Sequence, residues 1–162
     1  LYKKTNIHII VKVSNVSKNK IEYIDHINNP KINILKLIQM TTAIPIIFEP
    51  VKYKNNYYVD GGLCGNLPIE INNSNDYLSI DILCGPNENI DDIFNYFTKL
   101  FWMHTPDIIM RKYDIKNIKL NLDELNIDHM NFNLNNDIKN KLIDTGYEQT
   151  KKHFINYSAS SI

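Results

Sequence analysis

The spacing of apolar residues changes several times along the chain, and each change predicts an element. Ile7-His8-Ile9-Ile10-Val11-Lys12-Val13 and Lys20-Ile21-Glu22-Tyr23-Ile24 are rich in strand-forming apolar residues, so strands are expected over 6–14 and 20–25. From Asn33 apolar residues fall at helical spacing. Asn33 is available as an N-cap for a helix over 33–43, and Ile44-Pro45 turns the chain out of helical geometry. An apolar Ile46-Ile47-Phe48 segment and Glu49-Pro50-Val51 come next, then a polar stretch from Lys52 to Asn56 that suits a hairpin or exposed turn before a strand over 56–60. Further strands are expected over 77–83 and 117–122, and helices over 90–104 and 136–155. Alternating strands and helices in the first half argue an α/β fold.

Within 90–104, Ile90, Ile93, Phe94, Phe97, Leu100 and Phe101 form one apolar stripe opposite Asp91, Asp92, Asn95 and Lys99, which predicts a core-facing side; Pro106 stops or kinks the chain beyond it. Phe97, Phe101, Trp102 and Met103, with Ile108, Ile109 and Met110, suit either an acyl-chain wall or ordinary packing, and packing is the reading favoured. In the last helix Asn135 or Asn136 can cap, Asp137 sits in the first turn, and Ile138, Leu142, Ile143, Tyr147 and Phe154 are the docking candidates. Lys151, Lys152 and His153 complement its dipole. No repeat or linker interrupts the chain, and the weakest boundary is the polar stretch from Asn72 to Asp76.

The chemistry concentrates in Tyr57-Tyr58-Val59-Asp60-Gly61-Gly62-Leu63-Cys64-Gly65-Asn66-Leu67-Pro68-Ile69. A strand delivers one carboxylate, Asp60, into a glycine pair and then an Asn-x-Pro turn. Gly61 and Gly62 permit unusual backbone geometry and close approach, while Pro68 fixes the exit. Asp-Gly-Gly alone also describes an ordinary turn.

The surrounding order is more specific. Thr42-Ala43-Ile44-Pro45, Phe48-Glu49-Pro50, Asp60-Gly61-Gly62 and Asn66-Leu67-Pro68 succeed one another as in the patatin-like phospholipases, which this sequence resembles. In that family a helix ending in Ala-x-Pro runs into a Phe-x-Pro segment, and a hairpin leads to a strand bearing Asp-Gly-Gly or Asp-Gly-Ala and then Asn-x-Pro. The two N-terminal strands and Leu142-Ile143-Asp144-Thr145-Gly146-Tyr147 extend the resemblance over most of the chain, with 85–128 matching loosely.

The resemblance implies a three-layer α/β/α domain of which residues 1–157 are the C-terminal portion, with 158–162 a tail. It implies a lipid acyl hydrolase acting on phospholipids or related esters through a Ser-Asp dyad, with Asp60 as base and Gly61, Gly62, Asn66 and Pro68 shaping the active-site loop. Asn66 is read as bracing that loop. The family's glycine-rich oxyanion loop and Gly-x-Ser-x-Gly elbow do not occur. None of Ser14, Ser17, Ser74, Ser79, Ser158, Ser160 and Ser161 lies between glycines two residues away on both sides. The nucleophile is therefore expected upstream of Leu1, in an N-terminal half of the same domain that would also be this segment's partner. Alone, the segment is expected to be inactive and to self-associate through uncovered edges.

Composition adds exclusions. At 162 residues with 43% hydrophobic content the chain can bury a core, and 18 Lys and Arg against 18 Asp and Glu leave no basic footprint for nucleic acid. Cys64 and Cys84 cannot form a disulfide framework, and Cys64 is read as a small packed hydrophobe. His8, His26, His104, His129 and His153 lack metal-site spacing, so neither metal nor organic cofactor is implied. A phospholipid substrate and a transiently contacted membrane surface follow from the resemblance, with a cytoplasmic or peripheral-membrane location. A non-catalytic patatin-fold interaction or membrane-binding module is the alternative, and an unrelated α/β binding domain whose Asp-Gly-Gly is a turn is a second.

Overall fold

A computed structural model describes residues 2–65, 67, 68, 71, 78–83, 93, 96, 97, 99, 100, 117–125, 127 and 133–159, the last helix's side chains through Asn156. Two compact units are formed, Leu1–Ile71 with Asp91–Ile109 and Asn72–Ile90 with Met110–Ile162.

In the first unit, after a short helix α1 (Tyr2–Thr5), β1 (Val11–Asn15) and β2 (Lys20–Ile24) pair antiparallel from Val11 opposite Ile24 to Asn15 opposite Lys20. Asn19 takes positive φ (50°) in the connecting turn, a conformation asparagine tolerates. The strand expected over 6–14 is shorter at its start because β2 ends at Ile24. Beyond it Asp25 accepts the Ile27 and Asn28 N–H groups at 2.9 and 2.8 Å, which turns the chain, and residues 6–10 have no strand opposite them. His8 Nε2 instead meets Asp25 Oδ2 at 3.0 Å. These hydrogen bonds, that of the Asn28 N–H foremost, hold the Asp25 carboxyl below the usual range despite partial burial.

The helix α2 (Ile34–Thr41) begins where Asn33 Oδ1 accepts the Leu35 N–H at 2.9 Å. It buries Leu37 and Met40 against Val13, Ile24 and Tyr58, with Val11, Ile32, Val51 and Tyr53 around them. β3 (Val51–Tyr53) and β4 (Asn56–Asp60) form the hairpin, with Lys54 and Asn55 at φ 45° and 61° as a two-residue hairpin turn requires. β4 also pairs antiparallel with β1, giving the order β2-β1-β4-β3. Glu22 lies beside Tyr58 across this sheet. Burial opposes its charge, but Lys20, Asn15 Nδ2 at 3.0 Å and the Tyr58 hydroxyl at 3.2 Å donate to it, and its carboxyl is held below the usual range.

Of the expected helix over 90–104, residues 93, 96, 97, 99 and 100 are described as helical; of its apolar stripe Leu100 is half-buried, Ile93 and Phe97 are exposed, and Ile90 and Phe94 lie outside the described residues. Ile93 is 74% and Phe97 44% exposed. Helical spacing identifies an apolar side without specifying what covers it. Phe101, Trp102, Met103, Ile108, Ile109 and Met110 lie outside the described residues.

In the second unit β5 (Ser79–Leu83) and β6 (Asn117–Asn121) pair in parallel, and α3 runs from Asn136 to Ala159. Asn135 is the cap, its Oδ1 accepting the Ile138 N–H at 2.9 Å. Gln149 clasps the end of β6: Asn121 N–H donates to Gln149 Oε1 at 2.7 Å, and Gln149 Nε2 donates to the Asn121 carbonyl at 2.6 Å. That clasp sets the helix's rotation. Ile138 and Leu142 are half-buried as expected, whereas Ile143, Tyr147 and Phe154 are exposed. Among the described residues, no helix is long and apolar enough to cross a membrane.

Candidate active site

Asp60 is the last residue of β4, opposite Val13 of β1, and its N–H donates to the Ala43 carbonyl at 3.0 Å. Neighbouring strand and helix exit together fix its backbone. At Gly61 the chain enters a short 3-10 turn ending at Cys64, and the Gly62 N–H donates to Asp60 Oδ1 at 2.6 Å. Among the described residues this is the carboxylate's one hydrogen bond, and it forms no ion pair there. Asp60 is half-buried. Burial raises its pKa above the usual value, and the Gly62 hydrogen bond offsets part of that rise. The result is an acceptor with one oxygen fixed and an affinity for a proton greater than a solvated aspartate's.

Gly61 is required by proximity. A Cβ there would stand 2.3 Å from the Lys12 carbonyl oxygen and 2.6 Å from its carbon, so β1 and the turn touch backbone to backbone. Gly62 is half-buried and supplies its N–H; Pro68 is exposed, and Asn66 lies outside the described residues. Cys64 is exposed instead of packed, because the turn carries it to the surface, and Ser14 Oγ donates to its Sγ at 3.9 Å. Ser17 Oγ accepts the Tyr57 N–H at 2.9 Å, so among the described residues neither it nor Ser14 is hydrogen-bonded to Asp60. No metal-binding group of His, Cys, Asp and Glu occurs among the described residues.

Lys12 is the residue that sequence reasoning missed. A lysine inside a strand ordinarily marks a solvated face, yet Lys12 is 7% exposed, and its Nζ donates to the carbonyls of Gly65 at 2.9 Å and Cys64 at 3.1 Å. Residues far apart in sequence carry that signal, and the local pattern has none of it.

A strand end that presents a half-buried carboxylate over a glycine turn, within an α/β framework, is the arrangement that the motif order implied. Residues 3–72 match the family model of patatin-like phospholipases. The chain is 40% identical over 70 residues to "Probable lipid hydrolase 463L" of Invertebrate iridescent virus 6, covering 43% of this chain and 24% of that protein. It is 25% identical over 163 residues to protein R571 of Acanthamoeba polyphaga mimivirus, which is uncharacterized, covering 91% of this chain and 54% of that one. VipD from Legionella pneumophila superposes with a TM-score of 0.64 at 20% identity, over 92% of this chain and 31% of that one. Residues 3–72 carry the sequence pattern of the patatin-like family, and the chain shares the α/β fold of that structural neighbour. It spans between about a quarter and about half of the length of these curated relatives.

Proposed function

We propose that this chain is part of a lipid acyl hydrolase that cleaves ester bonds of phospholipids or related lipids, with Asp60 as the catalytic base. The observation that carries the reading is the half-buried carboxylate at the end of β4, its proton affinity raised by burial and its Oδ1 held by the Gly62 N–H. A base must take a proton from a weak nucleophile and later return it, which a carboxylate of raised pKa does better than a fully solvated one. The serine is proposed to precede residue 1, in the N-terminal portion of the same domain, of which residues 1–157 form the C-terminal part.

In the reaction the serine hydroxyl proton passes to Asp60 as the oxygen bonds to the ester carbonyl carbon, and N–H groups of the upstream portion hold the oxyanion. Collapse breaks the ester C–O bond; the Asp60 proton goes to the leaving alkoxide and an acyl-serine remains. Water then attacks the acyl carbon, gives its proton to Asp60, and displaces the serine oxygen, which recovers the proton. Gly61 and Gly62 shape the turn beneath the carboxylate, and Pro68 redirects the chain. Contact with a membrane surface is transient, as substrate access requires.

The Asp60 side chain also caps its turn, which favours the non-catalytic module as a second reading. Extension of the coding sequence upstream and an assay of fatty acid release from phospholipid vesicles separate the two. Release abolished by Asp60→Asn with folding intact supports the hydrolase, while a folded extended protein that releases none, or releases it regardless of Asp60, supports the module.

A further inference from the structure

We propose that Lys12 is a positioning residue for Asp60, its ammonium group locking the far end of the turn whose Gly62 N–H orients the carboxylate. This rests on the hydrolase reading above. The turn begins at Asp60 and ends at Cys64 and Gly65, and both ends lie against one residue of β1. At the near end Gly61 is pressed onto the Lys12 carbonyl; at the far end the Cys64 and Gly65 carbonyls accept from Lys12 Nζ. Gly65 adopts φ 101°, a conformation that side-chain-bearing residues rarely take, and successive carbonyls thereby converge on one ammonium. Thr41 Oγ1 donates to the Lys12 carbonyl at 2.9 Å, tying the end of α2 to the same point.

Burying a lysine head is costly unless its donors are satisfied, so placing one here, where an apolar side chain would fill the space, needs a reason. The two carbonyls supply it. With an apolar residue at position 12 they would lose their donor, the turn would loosen, and the Gly62 N–H would no longer be held on Asp60 Oδ1. An error of about 1 Å in a reacting group can cost on the order of 100-fold in rate.

The test uses the N-terminally extended protein, phospholipid vesicles, and the variants Asp60→Asn, Lys12→Met and Lys12→Arg. Asp60→Asn must abolish hydrolysis; if it does not, the hydrolase reading fails, whatever Lys12 does. Given that, Lys12→Met is expected to lower kcat about 10-fold or more with KM nearly unchanged. It should also move the acid limb of the pH profile upward, because the hydrogen bond that holds the Asp60 pKa down is weakened. Lys12→Arg keeps the charge and donors and should recover part of kcat. Wild-type kcat and acid limb in folded Lys12→Met, or equal losses in both variants with an unmoved limb, would overturn the proposal. Should Lys12→Met not fold, Lys12→Gln carries the same readouts. Amide exchange at Gly62 should speed up about 10-fold in whichever of Lys12→Met and Lys12→Gln is folded, and unchanged protection there would also overturn the proposal.

Discussion

Gly61→Ala isolates the contact on which the site is built. The added Cβ would sit 2.3 Å from the Lys12 carbonyl oxygen, against 3.4 Å or more for ordinary contact, so β1 and the turn must separate by about 1.1 Å. Both groups are backbone. Lys12 is paired with Tyr23 of β2, its carbonyl accepts from Thr41 Oγ1, and Val13 beside it is fully buried in the core. Overpacking against a frame that cannot yield costs about 1–3 kcal/mol or more, while alanine's smaller unfolded-state entropy returns about 0.4–1 kcal/mol. A net loss of about 2 kcal/mol is expected, or a fall in Tm of about 4–8 °C for a chain of this size.

Gly146→Ala is the internal control. Nothing lies within 4 Å of a Cβ there, and Gly146 is in the body of α3, so alanine should raise stability by about 1 kcal/mol. Urea titrations followed by circular dichroism, read separately for the two variants, measure both effects. If Gly61→Ala fell within about 0.5 kcal/mol of wild type, the usual range for surface substitutions, the turn would be free to move and the account of the site would fail.

Three further outcomes are expected. Asp60→Asn should be more stable than wild type at neutral pH: a carboxyl with raised folded-state pKa costs stability when ionised, and that cost vanishes as pH falls, so melts of the two proteins should converge in acid. Glu22 and Asp25 have lowered values and act in the opposite sense, contributing above the ordinary carboxylate range and losing that contribution as pH falls through their folded pKa values; Glu22→Gln should flatten the acid side of the stability profile. Ile46 is exposed at φ 76°, an unfavourable conformation for a β-branched residue, and Ile46→Asn should raise stability by about 1 kcal/mol in a urea titration.

Local pattern made the N-terminal elements legible because their partners lie close in sequence. Asn33 as a cap, Pro45 as a stop and the polar Lys52–Asn56 turn each act within a few residues, and the structure realises each of them. The boundary at residue 11 depends on where β2 ends, which its Asx turn at Asp25 determines, and the apolar run through Ile7, Ile9 and Val11 carries no information about that. The exposure of Ile93, Phe97, Ile143 and Tyr147 was missed for a related reason. Periodicity ranks the sides of a helix, but a clasp such as that of Gln149 on Asn121 decides which side docks. At the candidate site the pattern singles out Asp60 and its glycines and carries no sign that Lys12 is drawn into the protein.

The two readings of Asp-Gly-Gly, turn and catalytic mount, converge in the geometry. A turn cap and a general base both need one carboxylate oxygen held by a backbone N–H, and Gly62 supplies that in either case. They differ in what the remaining structure does to the charge. Asp60 is drawn partly out of water at a strand end, and burial raises its pKa. The alternating faces of β1 connect this to the fold. Val13 is sunk in the core with Leu37 and Met40, and Lys12, one residue earlier, holds the turn from the other face. Val13 and Asp60, directly opposite each other, share the core face, so burial there supports the carboxylate's position while Lys12 holds the turn from the other face, and a core substitution such as Met40→Ala should loosen the site without touching it.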